Sequence, residues 1–180
     1  YVNLVPHNII GPRQKFDDPY RNVVSIMINR ILNGKPPIIY GDGTQERCFS
    51  DIDDVVDPII RSINNKNVIG ETINIGPDED VITIKDLAFK ILDVLNSDLE
   101  PMFVDPRPQE VKQAHCSANK ARELLGYNTT VNLDDSIEKI AKLEKEIGDL
   151  ESSKRIIEDE KSTINNELIE LQATNQMNEN

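Results

Sequence analysis

The chain has 180 residues, enough for one domain with an extension or for two small units. Its 32 acidic against 20 basic residues give a net charge of −12, which sets it against nucleic acid and anionic membrane as partners. No apolar run approaches the roughly 18 residues of a membrane span. The chain opens at Tyr1 with no leader-like pattern, and Cys48 and Cys116 lack metal or redox spacing, so the expectation is a reduced, cytoplasmic context.

Residues 1–143 alternate strand and helix patterns. Tyr1 to Val5 is short and apolar and meets Pro6, which predicts a buried strand. Asp18-Pro19 offers an N-cap and a first-turn proline, and Tyr20, Val23, Val24, Met27, Ile28, Ile31 and Leu32 then recur on one helical face that Gly34 ends. Pro36-Pro37 leads into a strand Ile38–Tyr40, stopped by Gly41-Asp42-Gly43, and a second strand covers Arg47–Phe49. Ser50 and Asp53 form a capping pair for a helix whose stripe is Ile52, Val55, Val56, Ile59, Ile60 and Ile63, with Pro58 inside it as a kink. Thr72–Ile75 is a strand. Thr83 and Asp86 cap a helix that turns Ile84, Leu87, Ala88, Ile91, Leu92 and Leu95 inward. A strand over Met102–Val104, a short helix from Ser117 to Gly126, and a last helix from Leu133 complete the series.

Residues 144–180 have a different character. With Ile140 at position a of a heptad, the a sites are Ile140, Ile147, Lys154, Lys161, Leu168 and Asn175. The d sites are Leu143, Leu150, Ile157, Ile164 and Leu171, all aliphatic, which predicts a coiled-coil helix. Glutamates at e (144, 151, 158) and g (146, 160, 167) would repel in a simple homodimer, partly offset by the two lysines at a. Coiled-coil self-association and a separate partner helix both remain open.

Two absences bear on chemistry. There is no Gly-x-Gly-x-x-Gly, since Gly41-Asp42-Gly43 meets Glu46 where a third glycine would fall. There is no Tyr-x-x-x-Lys either, so the chain holds neither a dinucleotide-cradling turn nor a Tyr/Lys proton-transfer pair, and no catalytic residue is assigned. His7 has no carboxylate or nucleophile at readable spacing, so a lining or packed role outweighs that of a general base. His115-Cys116 is one adjacent pair without a second, and no metal site is assigned. Asp51, Asp53, Asp54 and Asp57 are better explained by the macrodipole of a helix start than by calcium.

Several motifs nevertheless stand in a meaningful order. Pro6-His7-Asn8-Ile9-Ile10-Gly11-Pro12-Arg13-Gln14 resembles an Asn-Val-Tyr-Gly-Pro-Arg-Gln element. Tyr40-Gly41-Asp42-Gly43-Thr44-Gln45-Glu46-Arg47-Cys48-Phe49 resembles Tyr-Gly-Asp-Gly-x-Gln-x-Arg-Asp-Phe, with Cys48 in place of Asp. Asn74-Ile75-Gly76, Arg107-Pro108-Gln109-Glu110 (Gln109 replacing the usual Gly) and Lys120-Ala121 to Leu125-Gly126-Tyr127 follow. Together they resemble the NAD-dependent epimerase/dehydratase family, the extended short-chain dehydrogenase/reductases acting on nucleotide sugars, and most of all its UDP-glucose 4-epimerase-like members.

That resemblance implies an α/β fold: the carboxy-terminal part of a Rossmann-like epimerase, its last strands plus a small substrate domain over 1–143, with the cofactor half missing and the coiled coil over 144–180 appended. It implies Pro6 and His7 beside NAD in the full-length parent, and Asn8 donating to the sugar or diphosphate of a UDP-sugar or other nucleotide-sugar. It implies Asn22 and Val23 facing the nucleotide from a helix start, and Ile38 and Tyr40 lining the base pocket. Arg47 and Arg107 would clamp the diphosphate, for which a planar guanidinium is suited, and Glu110 would accept ribose hydroxyls. The parent would oxidise a hexose hydroxyl at C4 and return the hydride; a 4,6-dehydratase, a decarboxylase, or an inactive coiled-coil assembly module are the alternatives. The chain as given would be inactive alone.

Overall fold

The structure, a computed structural model, describes residues 1–18 and 21–178. It divides into two units, Tyr1–Leu143 and Glu144–Asn180. The first is a mixed α/β unit of short, mostly parallel strand pairs and helices. Strand β1 (Asn3–Pro6) pairs in parallel with β6 (Thr72–Ile75), and β2 (Ile9–Ile10) with β5 (Ser50–Asp51). Strand β3 (Ile38–Tyr40) pairs in parallel with β8 (Met102–Val104). Strand β4 (Glu46–Arg47) is central to a three-stranded sheet, antiparallel to β7 (Ile82–Thr83) and parallel to β9 (Gln113–Ala114).

Two cores hold this unit. Helix α1 (Val23–Leu32), β3, helix α3 (Ile84–Val94) and the first turns of helix α5 (Leu133–Asn178) enclose Val24, Met27, Ile28, Ile39, Leu87, Ile91, Ile137 and Ile140. Helix α2 (Ile52–Ser62), β6 and helix α4 (Asn119–Leu125) enclose Val55, Ile73, Ile75, Ala121, Leu125 and Tyr127. The first matches the period of the sequence, since α3 buries Ile84, Leu87, Ala88, Ile91 and Leu92 of its apolar stripe. Its start is a reciprocal cap: the Asp86 N–H donates to Thr83 Oγ1 at 3.0 Å and the Thr83 hydroxyl donates to Asp86 Oδ2 at 2.6 Å.

Several expectations are corrected. Helix α1 begins at Val23, not near Asp18; its N-cap is Asn22, whose left-handed backbone (φ 59°) turns the chain into the helix, while Pro19 and Tyr20 lie outside the described residues. The cap of α2 is Asp51, which accepts from the Asp53 N–H at 2.9 Å, because the Ser50 hydroxyl is spent on the His7 carbonyl at 3.0 Å. Helix α2 continues through Pro58 to Ser62, and only part of its apolar stripe is covered: Val55 is buried while Val56, Ile60 and Ile63 are exposed. Arg47–Phe49 is not one strand: Arg47 ends β4, and Cys48 and Phe49 join it to β5. Strand β1 is not buried, with Val5 exposed, because among the described residues it pairs only with β6. Four two-residue strands (β2, β5, β7 and β9) escaped the sequence pattern, being too short to show a period.

Two acids, Asp54 buried and Asp78 half-buried, tie the elements together. Asp54 accepts from the Thr130 and Val131 N–H groups at 3.0 and 3.1 Å and from the Thr130 hydroxyl, fixing the loop before α5 to α2. Asp78, after β6, accepts from the Ala118 N–H at 2.9 Å and from both terminal nitrogens of Arg122, so it caps and pairs with α4 at once. The Arg122 bonds hold the Asp78 carboxyl down to about 2, below its ordinary 3.8. The second unit is helical through Asn178, with Leu150, Ile157, Ile164 and Leu171 between 62% and 69% exposed.

A depressed carboxylate stabilises the fold only while it is ionised, so the Asp78 contribution is complete above about pH 4 and is lost as the pH falls toward about 2. The expected outcome is that Asp78→Asn lowers the urea-unfolding free energy at pH 7 and that its difference from the parent narrows through this acidic window. A difference that stays level down to pH 2 would show that the Arg122 pairing is not its source.

Candidate functional site

The residues that the motifs single out converge mainly on one cleft of about 540 Å³ within the first unit. Asn8, Asn22, Val23, Ile38, Tyr40, Arg47, Arg107 and Glu110 all line it. Pro6 and His7 do not appear in its lining. The His7 ring instead makes a 3.0 Å hydrogen bond with the Ala114 carbonyl, and the His7 carbonyl accepts from Ser50. Its size is that of a small-molecule site, a few hundred cubic ångströms with apolar walls and a small set of polar groups.

Each wall has a local cause. Asn8 sits in a left-handed conformation (φ 44°) between β1 and β2, and its side-chain amide donates to the Cys48 carbonyl at 2.9 Å, which ties it to the β4–β5 run. The loop before α1 is pinned by Gln14, which donates to the Ile9 carbonyl at 2.9 Å and accepts from the buried Ser25 hydroxyl at 3.0 Å. Asn22 donates from its side chain to the Lys15 carbonyl at 2.7 Å, so it gives α1 no side-chain cap, and the first turn carries no acidic residue. The start of α1, at Asn22 and Val23, forms this wall of the cleft, with Asp17 also in the lining.

On the opposite wall the turn after β3 is tight. Gly43 has φ +74°, and a Cβ there would stand 2.8 Å from both Ile39 Cγ2 and Lys85 Cβ, so only glycine fits. Thr44 closes the turn, its N–H and hydroxyl donating to Asp42 at 3.1 and 2.8 Å and lowering that carboxyl's pKa. The chain then enters β4 with Gln45 buried at 7% exposure. Arg47 follows, donating to the Glu46 carbonyl at 2.7 Å and the Val111 carbonyl at 2.8 Å, bonds that hold its guanidinium against the segment leading into β9.

Arg107 and Tyr40 meet directly: the guanidinium carbon lies 3.8 Å from the ring centroid, a cation–π stack. Glu110 accepts from the Gln45 side-chain amide at 3.0 Å. The cleft thus joins an aromatic face, two guanidinium groups and a carboxylate, a set that can hold an anionic ligand with a flat part and hydroxyl groups. Gln45, Phe49, Arg21 and Phe16 also line it and were not singled out from sequence. Gln45 and Phe49 stood in the quoted motif, and their positions there were the available signal.

Such a cleft in an α/β unit carries the groups that can hold an anionic small molecule. The family model described as "NAD dependent epimerase/dehydratase family" matches residues 1–76. The chain is 32% identical over 139 residues to the UDP-glucose 4-epimerase of Mycolicibacterium smegmatis, covering 76% of this chain and 43% of that one. It is 31% identical over 146 residues to the UDP-N-acetyl-alpha-D-glucosaminuronate decarboxylase of Bacillus cytotoxicus, covering 78% and 44%. Among solved structures it resembles the UDP-glucuronic acid 4-epimerase of Bacillus cereus in complex with UDP-glucuronic acid and NAD, with a TM-score of 0.71, 33% identity, and 81% of this chain and 45% of that one covered. Residues 1–76 thus match the NAD-dependent epimerase/dehydratase family, and the chain is similar over about three quarters of its length to UDP-glucose 4-epimerase-like members. It spans less than half the length of the curated relatives named.

NAD is the cofactor of this family and is present in the B. cereus structure. The described residues do not build a cradle for it. Its diphosphate needs a glycine-rich strand-to-helix turn, whereas the β5–α2 junction presents the carboxylates of Asp51, Asp53 and Asp54, and β7 leads into α3 with Asp86 in the first turn.

Gln109 stands in a left-handed conformation (φ 59°) between Arg107-Pro108 and Glu110, where the family motif has glycine. A Cβ in that region costs about 1–2 kcal/mol, partly offset by the entropy that glycine would lose on folding. Gln109→Gly is expected to be neutral or up to about 1 kcal/mol more stable, and Gln109→Val clearly less stable, by chemical denaturation. A glycine variant that is markedly destabilised would show that the Gln109 side chain itself holds the loop.

Proposed function

We propose that this chain supplies the nucleotide-sugar-binding portion of an NAD-dependent epimerase that acts at the hexose C4 of a UDP-sugar, with residues 1–143 forming the substrate-binding portion and 144–180 a helical extension. The observation that carries the reading is the convergence of Arg47, Arg107, Tyr40 and Glu110 on one cleft with the α1 start opposite them. Tyr40 and Ile38 take the base. Arg47 and Arg107 take the diphosphate, helped by the N–H groups at Asn22 and Val23 and by Asn8, and Glu110 takes the ribose. Gripping the remote diphosphate orients the sugar for chemistry, which is an efficient use of binding energy. Pro6 and His7 border the nicotinamide in the assembled enzyme, and the free thiols Cys48 and Cys116 suit a cytoplasmic setting. A 4,6-dehydratase or a decarboxylase would use the same grip, and a decarboxylase is among the relatives.

A second reading, in which the chain is an assembly module, draws on the row of exposed aliphatic d positions Leu150, Ile157, Ile164 and Leu171 along the last helix. Their burial needs another helix, and the acidic e and g flanks favour one of basic character over a second copy.

By isothermal titration calorimetry the purified chain is expected to bind UDP, and Arg107→Ala to weaken that binding by about 10-fold or more, the weight of one charge-assisted phosphate contact. The same preparation, given UDP-glucose and NAD, is expected to form no UDP-galactose, since the Tyr/Lys pair is absent. An unliganded titration would remove the first statement, and turnover would remove the second.

Sedimentation of the intact chain, with and without an added basic coiled-coil peptide, against a chain ending at Leu143 tests the second reading. A mass that rises only when the tail is present supports assembly; identical monomeric behaviour in all samples rejects it.

A further inference from the structure

The last helix exposes a seam that is not apolar throughout. Leu150, Ile157, Ile164 and Leu171 recur every seven residues and are 62% to 69% exposed, and Leu168 is half exposed among them. At the a sites of two consecutive heptads the same seam carries Lys154 and Lys161. Lys154 meets Glu158 one turn on at 3.8 Å, with side chains 75% and 65% exposed, and an exposed pair of that kind contributes little in water. The aliphatic d sites call for a covering helix, and the two lysines limit which helix can supply it.

A second copy is a poor cover. In a parallel pair each a residue faces its counterpart, so two copies would set Lys154 on Lys154 and Lys161 on Lys161, with glutamate-rich flanks on both helices. In an antiparallel pair the lysines would face aliphatic d sites, but the flanks would still share one sign. The complement reverses both signs: basic residues on the flanks, and a carboxylate in the seam wherever this helix has a lysine. Seam charges of this kind set register and partner more than strength, because a charge left there without its opposite is costly.

We propose that Lys154 and Lys161 select the partner of the last helix: a heptad helix with basic flanks that carries two carboxylates in its own seam, seven residues apart, one opposite each lysine. The inference rests on the reading of the last helix as an assembly surface. To the basic character of that partner it adds a fixed register and an inversion of sign inside the seam.

The test is calorimetric titration of the full chain with synthetic five-heptad peptides. They have lysine at e and g, leucine and isoleucine in the seam, and glutamate, glutamine or lysine at the two seam sites opposite Lys154 and Lys161. One set places those sites at a, for parallel alignment, and the other at d, for antiparallel alignment. In one of the sets the glutamate peptide is expected to bind about 10-fold or more tightly than its glutamine twin, and the lysine peptide more weakly than either. In the double variant Lys154→Gln, Lys161→Gln the preference for glutamate over glutamine falls to within about twofold. Peptides that bind equally within each set, or a glutamate preference that survives in the variant, overturn selection by the two lysines while leaving the assembly surface standing. Binding by none of the peptides overturns the assembly surface and this inference together.

Discussion

Asp51 is a carboxylate with 0% side-chain exposure, and much of the first unit is arranged around satisfying it. It accepts from the Asp53 N–H at the start of α2, from the Ser136 hydroxyl at 2.7 Å and from Lys139 at 3.3 Å, both on the early turns of α5. An ionised group in that position is tolerable only with its full set of donors, so the end of β5, the start of α2 and the beginning of α5 must coincide. The run from Gln45 to Asp51 ends at this fixed point. Arg47 and the Cys48 carbonyl that holds Asn8 lie on that run, while Asp51 itself is not among the residues that line the cleft.

The same run explains why both sides of the cleft keep register. Strand β4 is bracketed by β7 and β9, and β5 by β2, so three separate parts of the chain are brought against six consecutive residues. Ser50 closes the bracket by donating to the His7 carbonyl. Where the family pattern carries Asp, Cys48 is buried, and burial raises its thiol pKa, so a neutral group occupies the site of a charged one. With Asp51 and Asp54 already buried a few residues on, a third carboxylate would have needed further donors.

Legibility from sequence followed the size of the signal. Helix α3 could be read because a capping pair and an apolar stripe agreed, and so could the three-residue and longer strands β3, β6 and β8. The start of α1 could not, since Asp18-Pro19 is a good local signal overridden by the left-handed turn at Asn22, a choice made by Lys15 and the Gln14 tether rather than by propensity. Asp51 was read as part of a solvated acidic helix start, and its real partners lie 85 and 88 residues away. In the cleft, family resemblance pointed to Arg47, Arg107, Tyr40 and Glu110 as a group, but nothing linear could show the guanidinium–ring stack or the amide bond from Gln45 to Glu110. Both are facts about which side chains meet, and meeting is decided by strand pairing.

The Arg107–Tyr40 stack has a consequence for how the cleft responds to change. Arg107 stands between Pro106 and Pro108, whose rings fix the backbone on either side of it. Its guanidinium lies on the Tyr40 ring, so one face of that ring is already turned to a cation. Two of the groups that line the cleft are thereby a single unit: removing Arg107 uncovers the ring, and replacing Tyr40 takes away the surface on which the guanidinium rests.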